Sequence, residues 1–142
     1  MMRSRWTHNP QSGGVKPSLS VRQHTEERLR SYANRHYAGK FSRLAIRFHG
    51  AFCYIDAYVE PGEPSLELLR STGETCEEFM GRMRSTPLHL CRLRYFGTEE
   101  RWSMAFYTYS NERYEPCVFE NGSFYGTVEE AFEIGAVYLQ SS

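Results

Sequence analysis

An alternation of apolar and other residues predicts a first β-hairpin. It runs along residues 43–48 and 51–59 with the period of two that is typical of strands. His49-Gly50 between them predicts a two-residue turn, because glycine takes a positive φ freely. This turn sets Arg43 opposite Asp56. One face of the hairpin is then apolar, and the other mixes arginines with aromatic residues.

A second hairpin is predicted along residues 88–96 and 101–109, around a turn at 97–100. Its apolar face pairs Tyr95 with Trp102, Leu93 with Met104 and Cys91 with Phe106. Its other face pairs Arg94 with Ser103, Arg92 with Ala105 and Leu90 with Tyr107. Both hairpins therefore divide in the same way, which favours one continuous sheet.

Capping boxes, in which serine or threonine precedes glutamate or glutamine by three residues, predict three helix starts. Ser20 with Gln23 begins a helix over 21–38, Thr75 with Glu78 begins a short helix in the 61–87 connection, and Thr127 with Glu130 begins the last helix. Earlier in the same connection, one helical turn is expected at 65–69.

The remaining segments complete an α+β domain. Residues 114–119 predict a fifth strand, and Asn121-Gly122 predicts a turn that returns 123–125. The expected fold is an antiparallel sheet of about five strands flanked by three helices, in the order α-β-β-α-β-β-β-α. Residues 1–19 lack periodicity and predict a disordered tail before a single domain at 20–142.

Composition narrows the choice of partners. Seventeen basic and seventeen acidic residues give a formal net charge of zero, so the whole molecule does not attract polyanions at long range. Nucleic-acid binding would therefore need a local basic patch. Hydrophobic residues make up 40% of the chain and aromatic residues 15%, a composition that can bury a core.

The sequence favours a cytoplasmic protein that does not enter a membrane. The first twenty residues lack the apolar region of a secretory signal, and the apolar runs are far shorter than a membrane span. The four cysteines are widely spaced and lie in or beside apolar segments, which predicts reduced, buried thiols.

The mixed face of the predicted sheet is the candidate site. Its arginines could clamp phosphate or carboxylate groups with paired hydrogen bonds, and its rings could stack on bases or other aromatic groups. The candidate ligand-binding residues are Arg43, Arg47, Phe52, Tyr54, Tyr58, Arg92, Arg94 and Tyr107. We therefore expect a non-enzymatic binding or assembly module whose ligand is an anionic or aromatic molecule, a nucleic acid or a protein partner.

Two alternatives stay open. The chain could be a small enzyme with a pocket between the mixed face and the 61–87 connection, using Asp56, Tyr54 or Tyr58 as acid or base. It could also be a purely structural domain that forms a homodimer through the same face.

No cofactor or metal is expected. Glycine-rich phosphate loops are missing from the sequence. His49, Cys53, His89 and Cys91 lack the close ligand pairs of a zinc site. His89 and Cys91 are predicted on one strand face two residues apart, where a core thiol beside a core histidine is the common outcome.

Overall fold

A computed structural model describes residues 12–140 of the chain. The helices are α1 (Leu19–His36), α2 (Leu66–Thr72), α3 (Cys76–Ser85), α4 (Val128–Gly135) and α5 (Val137–Gln140). The strands are β1 (Arg43–His49), β2 (Phe52–Tyr58), β3 (Leu88–Tyr95), β4 (Trp102–Thr108) and β5 (Arg113–Cys117). The strands form one antiparallel sheet in the order β1-β2-β3-β4-β5, so the predicted α+β class is confirmed.

Two helices cover the apolar face of the sheet. Leu29 and Ala33 of α1 and Phe132 of α4 are fully buried against sheet residues such as Ile55 and Leu93. The two helices are also joined by polar contacts. Arg28 donates two hydrogen bonds of 2.8 and 2.6 Å to the Glu129 carboxylate, and Tyr32 and Tyr37 both donate to Glu133, at 2.5 and 2.6 Å. Helices α1 and α4 thus form a helix layer on one side of the sheet.

The register of the first hairpin differs from the prediction by two residues. His49 pairs with Phe52, so the turn is Gly50-Ala51 and not His49-Gly50. Gly50 has a φ of 57° and occupies the first turn position, the place that a type II′ turn reserves for glycine. The shift sets Arg43 opposite Tyr58, so the predicted pairing of Arg43 with Asp56 is wrong. A shift of two keeps every residue on its predicted face.

The second hairpin has the predicted register between Cys91 and Phe106 and between Tyr95 and Trp102. A β-bulge on β3 changes the rest. Ile55 pairs with Cys91 whereas Asp56 pairs with His89, which leaves Leu90 as the extra residue. Leu90 and Cys91 are both fully buried. The predictions that Leu90 shares a face with Tyr107, and that His89 shares one with Cys91, are therefore wrong.

The helix starts agree with two of the three predicted capping boxes. Thr75 with Glu78 and Thr127 with Glu130 form complete boxes at α3 and α4. Helix α1 begins two residues earlier than predicted, because the Ser18 hydroxyl and not Ser20 accepts the Val21 N–H. The connection holds a complete helix, α2, capped by Ser65, and the last helix is in two pieces, α4 and α5.

The segment after β4 contains less strand than predicted. Strand β5 ends at Cys117, and the predicted return at 123–125 is not a strand. An isolated bridge to Trp102 forms at the next residue, Gly126. The chain turns one residue earlier than predicted, at 120–121, because the Gly122 N–H donates to the Phe119 carbonyl at 2.9 Å. The Phe119 N–H donates in turn to the Ser123 carbonyl at 2.8 Å.

The N-terminal part of the described chain crosses the end of the sheet. Gly13 accepts a hydrogen bond of 2.9 Å from Arg94, and the Val15 N–H donates to the Tyr95 carbonyl at 2.9 Å. Gly14 has a φ of 88°, and a Cβ there would lie 2.8 Å from the Tyr95 oxygen, so the crossing requires glycine. The prediction of a disordered tail falls mostly on residues 1–11, which lie outside the described residues.

Within residues 12–140, none of the helices combines the length and the apolar character needed to cross a bilayer.

Candidate functional site: an arginine and aromatic sheet face

The sheet register places all eight candidate residues on the side away from α1 and α4. We call this set the arginine–aromatic face: Arg43, Arg47, Phe52, Tyr54, Tyr58, Arg92, Arg94 and Tyr107. It extends over four strands. The alternation of the strands brings these side chains together, because every second residue of a strand points to the same side.

Each arginine of β1 lies over a tyrosine of β2. The Arg43 guanidinium carbon is 4.0 Å from the centre of the Tyr58 ring. The corresponding distance from Arg47 to Tyr54 is 4.2 Å. Both are cation–π contacts at good distance. They hold each guanidinium against a ring, and both arginines are exposed.

The two arginines of β3 converge on one ring. Arg92 and Arg94 lie 4.5 and 4.4 Å from the centre of Phe52. Burial, and then the like charge of Arg92, lowers the pKa of Arg94 below its ordinary value. This crowding concentrates positive charge at the centre of the face.

The positive charge of the face is poorly balanced by carboxylates. Among residues 12–140, Arg43, Arg47 and Arg92 make no salt bridge. The strand residues on this side include four arginines and one carboxylate, Asp56. By contrast, Arg28 in the helix layer is paired with Glu129. The chain is therefore neutral overall and locally basic on this face.

Tyr114 of β5 links the rings of the face and was not predicted. Its ring centre lies 5.8 Å from Tyr54 and 5.1 Å from Tyr107, and the Arg92 guanidinium is 5.3 Å away. The Tyr114 hydroxyl is buried without a hydrogen-bond partner among the described residues. Burial, and then the negative charge of Asp56, raises the pKa of this hydroxyl. The sequence did indicate Tyr114 indirectly, because it lies in the predicted fifth strand, where every second residue points to the same face.

Asp56 and His89 form a second unpredicted feature beside the face. The His89 Nδ1 lies 2.9 Å from the Asp56 Oδ1, and the His89 backbone N–H donates to the Tyr109 hydroxyl at 2.7 Å. The His89 ring is also 4.7 Å from the Tyr107 ring. The bulge brings His89 to this side. Its sequence signal is the adjacent apolar pair Leu90-Cys91 in an otherwise alternating strand.

The surface of the face is shallow. The indentation at its β4–β5 edge, lined by Arg92, Arg94 and residues of β4 and β5, encloses about 10 Å³. That volume suits roughly one water molecule, whereas pockets for drug-sized ligands have about 300–1,000 Å³. An extended ligand that lies across the strands fits this surface better than a compact one.

The cysteines lie elsewhere. Cys53 and Cys91 are fully buried toward the helices, and burial raises the pKa of both thiols. Cys76, at the start of α3, is exposed, so the prediction that all four thiols are buried is wrong there.

No set of three or more His, Cys, Asp or Glu side chains within residues 12–140 is arranged to hold a metal ion.

The chain matches no known protein family, no curated protein and no solved structure. The argument for function therefore rests on the geometry of this face.

Proposed function

We propose that the protein binds single-stranded nucleic acid across the arginine–aromatic face. The observation that carries the proposal is the set of three arginines, Arg43, Arg47 and Arg92, which are stacked on rings and lack carboxylate partners within the described residues. The proposal places the protein in the cytoplasm, where single-stranded RNA is available.

The charge pattern supports a phosphate ligand. A guanidinium held against a ring has fewer rotamers to lose on binding, and a guanidinium can donate two parallel hydrogen bonds to a phosphate. Arg43 and Arg47 are four residues apart on β1, which is about 13 Å along a strand. Charges spread over this distance suit a polyanion better than a single small anion.

The rings support a ligand with planar groups. Bases stack on aromatic side chains and on arginine planes, and each such contact contributes about 1–3 kcal/mol. Arg47, which lies over the Tyr54 ring, is exposed, and Tyr58 and Tyr107 are only partly buried. Stacking of this kind tolerates every base, so we expect little sequence preference.

Self-association through the same face is less favoured. A two-fold interface would set the positive patch of one copy against the same patch of another, which is repulsive.

The enzyme alternative with Asp56, Tyr54 or Tyr58 as acid or base is also less favoured. Arg47 and Arg43 cover the rings of Tyr54 and Tyr58, and His89 is hydrogen-bonded to Asp56.

The test is a titration of a fluorescently labelled single-stranded 16-mer, followed by anisotropy at several salt concentrations. The variants are Arg47→Ala/Arg92→Ala and the charge-matched control Arg35→Ala/Arg70→Ala, whose residues are exposed on α1 and α2. For single strands the logarithm of affinity falls with the logarithm of salt by about 0.7 for each phosphate contact. The double variant on the face should lose most binding and reduce this slope by about 1.4.

The control separates site binding from general charge. It lowers the net charge as much as the face variant does, so it should bind nearly as the wild type does. Equal weakening by both variants would contradict the proposal. A stable dimer by light scattering, with no nucleic-acid binding, would favour the homodimer instead.

A further inference from the structure

The bulge at Leu90 brings an imidazole and a buried carboxylate together beside the arginine–aromatic face. Asp56 is 7% exposed, and its Oδ1 lies 2.9 Å from the His89 Nδ1. Bulges frequently re-aim a side chain next to a functional site. Without this one, the alternation of β3 would turn His89 toward the helices.

The hydrogen bond fixes the role of each ring nitrogen. When the Asp56 carboxylate accepts from Nδ1, that nitrogen carries the proton and Nε2 keeps its lone pair. An ionised partner at Nδ1 is the arrangement that prepares a histidine to accept a proton. The hydrogen bond of the His89 backbone to the Tyr109 hydroxyl further fixes the strand at this point.

The pair is accessible and close to the charges of the face. The His89 side chain is 31% exposed, in contrast to 10% for Asp56. The Tyr114 ring lies 6.3 Å from the His89 ring and 5.3 Å from the Arg92 guanidinium, so one ring separates the imidazole from a phosphate-binding cation. A single side-chain hydrogen bond contributes only about 1 kcal/mol to stability. A base beside a phosphate site has an evident chemical use.

We infer that the site cleaves RNA, with His89 as general base toward a ribose 2′-hydroxyl and Asp56 as its positioning residue. This inference rests on the proposed function, because the arginines must first hold the phosphodiester. RNA alone carries the 2′-hydroxyl, so DNA bound in the same way is not cleaved.

The reaction balances without a metal or co-reactant. His89 Nε2 takes the proton of the 2′-hydroxyl, and the 2′-oxygen forms a bond to phosphorus. The bond from phosphorus to the 5′-oxygen breaks, and the 5′-oxygen takes a proton from solvent water, while His89 returns its proton to solvent. The products are a 2′,3′-cyclic phosphate and a 5′-hydroxyl. Arg92 stabilises the charge that develops on the phosphate oxygens.

The experiment compares a 12-mer RNA with the same sequence in 2′-deoxy form. Products are identified by mass spectrometry, and binding of the deoxy oligonucleotide is followed by anisotropy. Proton transfer by a positioned side chain contributes about 10²–10⁴-fold to a rate. His89→Asn should therefore reduce formation of the cyclic phosphate at least about 100-fold, while binding and thermal unfolding stay close to the wild type.

Asp56→Asn tests the positioning role. The amide no longer requires the Nδ1–H tautomer, so the rate should fall while affinity for the deoxy oligonucleotide is retained. A purely structural role would instead lower the unfolding temperature and leave the rate per folded molecule unchanged.

Two outcomes would overturn the inference in different ways. RNA that binds to the wild type and yields no more cyclic phosphate than with His89→Asn would end the cleavage inference and leave the proposed function standing. If neither the RNA nor the deoxy oligonucleotide binds, the proposed function is overturned, and the cleavage inference with it.

Discussion

The two faces of the sheet come from the same strands and have opposite surroundings. On the face toward α1 and α4, Cys53, Ile55 and Leu93 are fully buried. On the other, Arg47 is exposed and Arg92 is partly buried, and both are held by rings. Adjacent residues such as Leu93 and Arg92 thus contribute in different ways. Leu93 is packed in the core, whereas Arg92 lies partly exposed against aromatic rings.

The difference shows where the stability of the fold resides. Full burial of an aliphatic side chain contributes about 1.5–3 kcal/mol, whereas an exposed cation–π contact contributes about 0.5–1 kcal/mol. The helix-covered face therefore carries the fold, and substitutions on the arginine–aromatic face can be made without unfolding the protein.

The largest expected effect on the free energy of unfolding comes from comparing two substitutions in β3, one on each face of the sheet. Leu93→Ala removes a fully buried side chain at the centre of the sheet and should lower the free energy of unfolding by about 2–5 kcal/mol. Arg92→Ala, its neighbour, loses contacts with Phe52 and Tyr114 and should cost under about 1 kcal/mol. Urea denaturation measures both. Equal losses would mean that the faces do not differ in this way.

A smaller effect is expected where α4 meets the bulge. A Cβ on Gly135 would lie 3.0 Å from the Leu90 oxygen and 3.2 Å from the Cys91 sulfur. Gly135→Ala should therefore destabilise the protein by about 1–3 kcal/mol. The control is Gly81→Ala in α3, where a Cβ meets nothing within 4 Å and alanine should add up to about 1 kcal/mol. A neutral Gly135→Ala would contradict the close packing of α4 on β3.

The smallest effect is the contribution of one carboxylate of α4, Glu133, to the pH dependence of stability. Hydrogen bonds from Tyr32 and Tyr37 lower the pKa of Glu133 below its ordinary value of 4.5. A group with a lowered native pKa stabilises the fold above its unfolded pKa, and that stability is lost as the pH falls through the native value. Glu133→Gln should flatten the loss of stability below about pH 4.5 in thermal unfolding. The double variant Tyr32→Phe/Tyr37→Phe should flatten this loss of stability too. If the unfolding temperature of both variants fell with pH as steeply as that of the wild type, Glu133 would not contribute to the acid dependence.

The sequence was sufficient to place the eight candidate residues on one face, and insufficient for the register of the first hairpin and for the bulge in β3. Alternation placed all eight candidate residues on one side, because the period of a strand is fixed. Whether Gly50 occupies the first or second turn position depends on turn geometry, so the partner of Arg43 was wrong. The bulge depends on tertiary packing of both Leu90 and Cys91, so His89 was placed on the wrong face.

The most direct test of the central claim compares the two faces in one NMR experiment. Isotope-labelled protein is titrated with a single-stranded oligonucleotide, and the arginine side-chain Nε–H and tyrosine ring signals are followed. Nucleic-acid binding on the arginine–aromatic face predicts the largest shifts at Arg47, Arg92 and Tyr54, with Arg35 and Tyr37 on the helix side of the sheet nearly unmoved. Shifts centred on the helix layer, or none at all at saturating oligonucleotide, would contradict it.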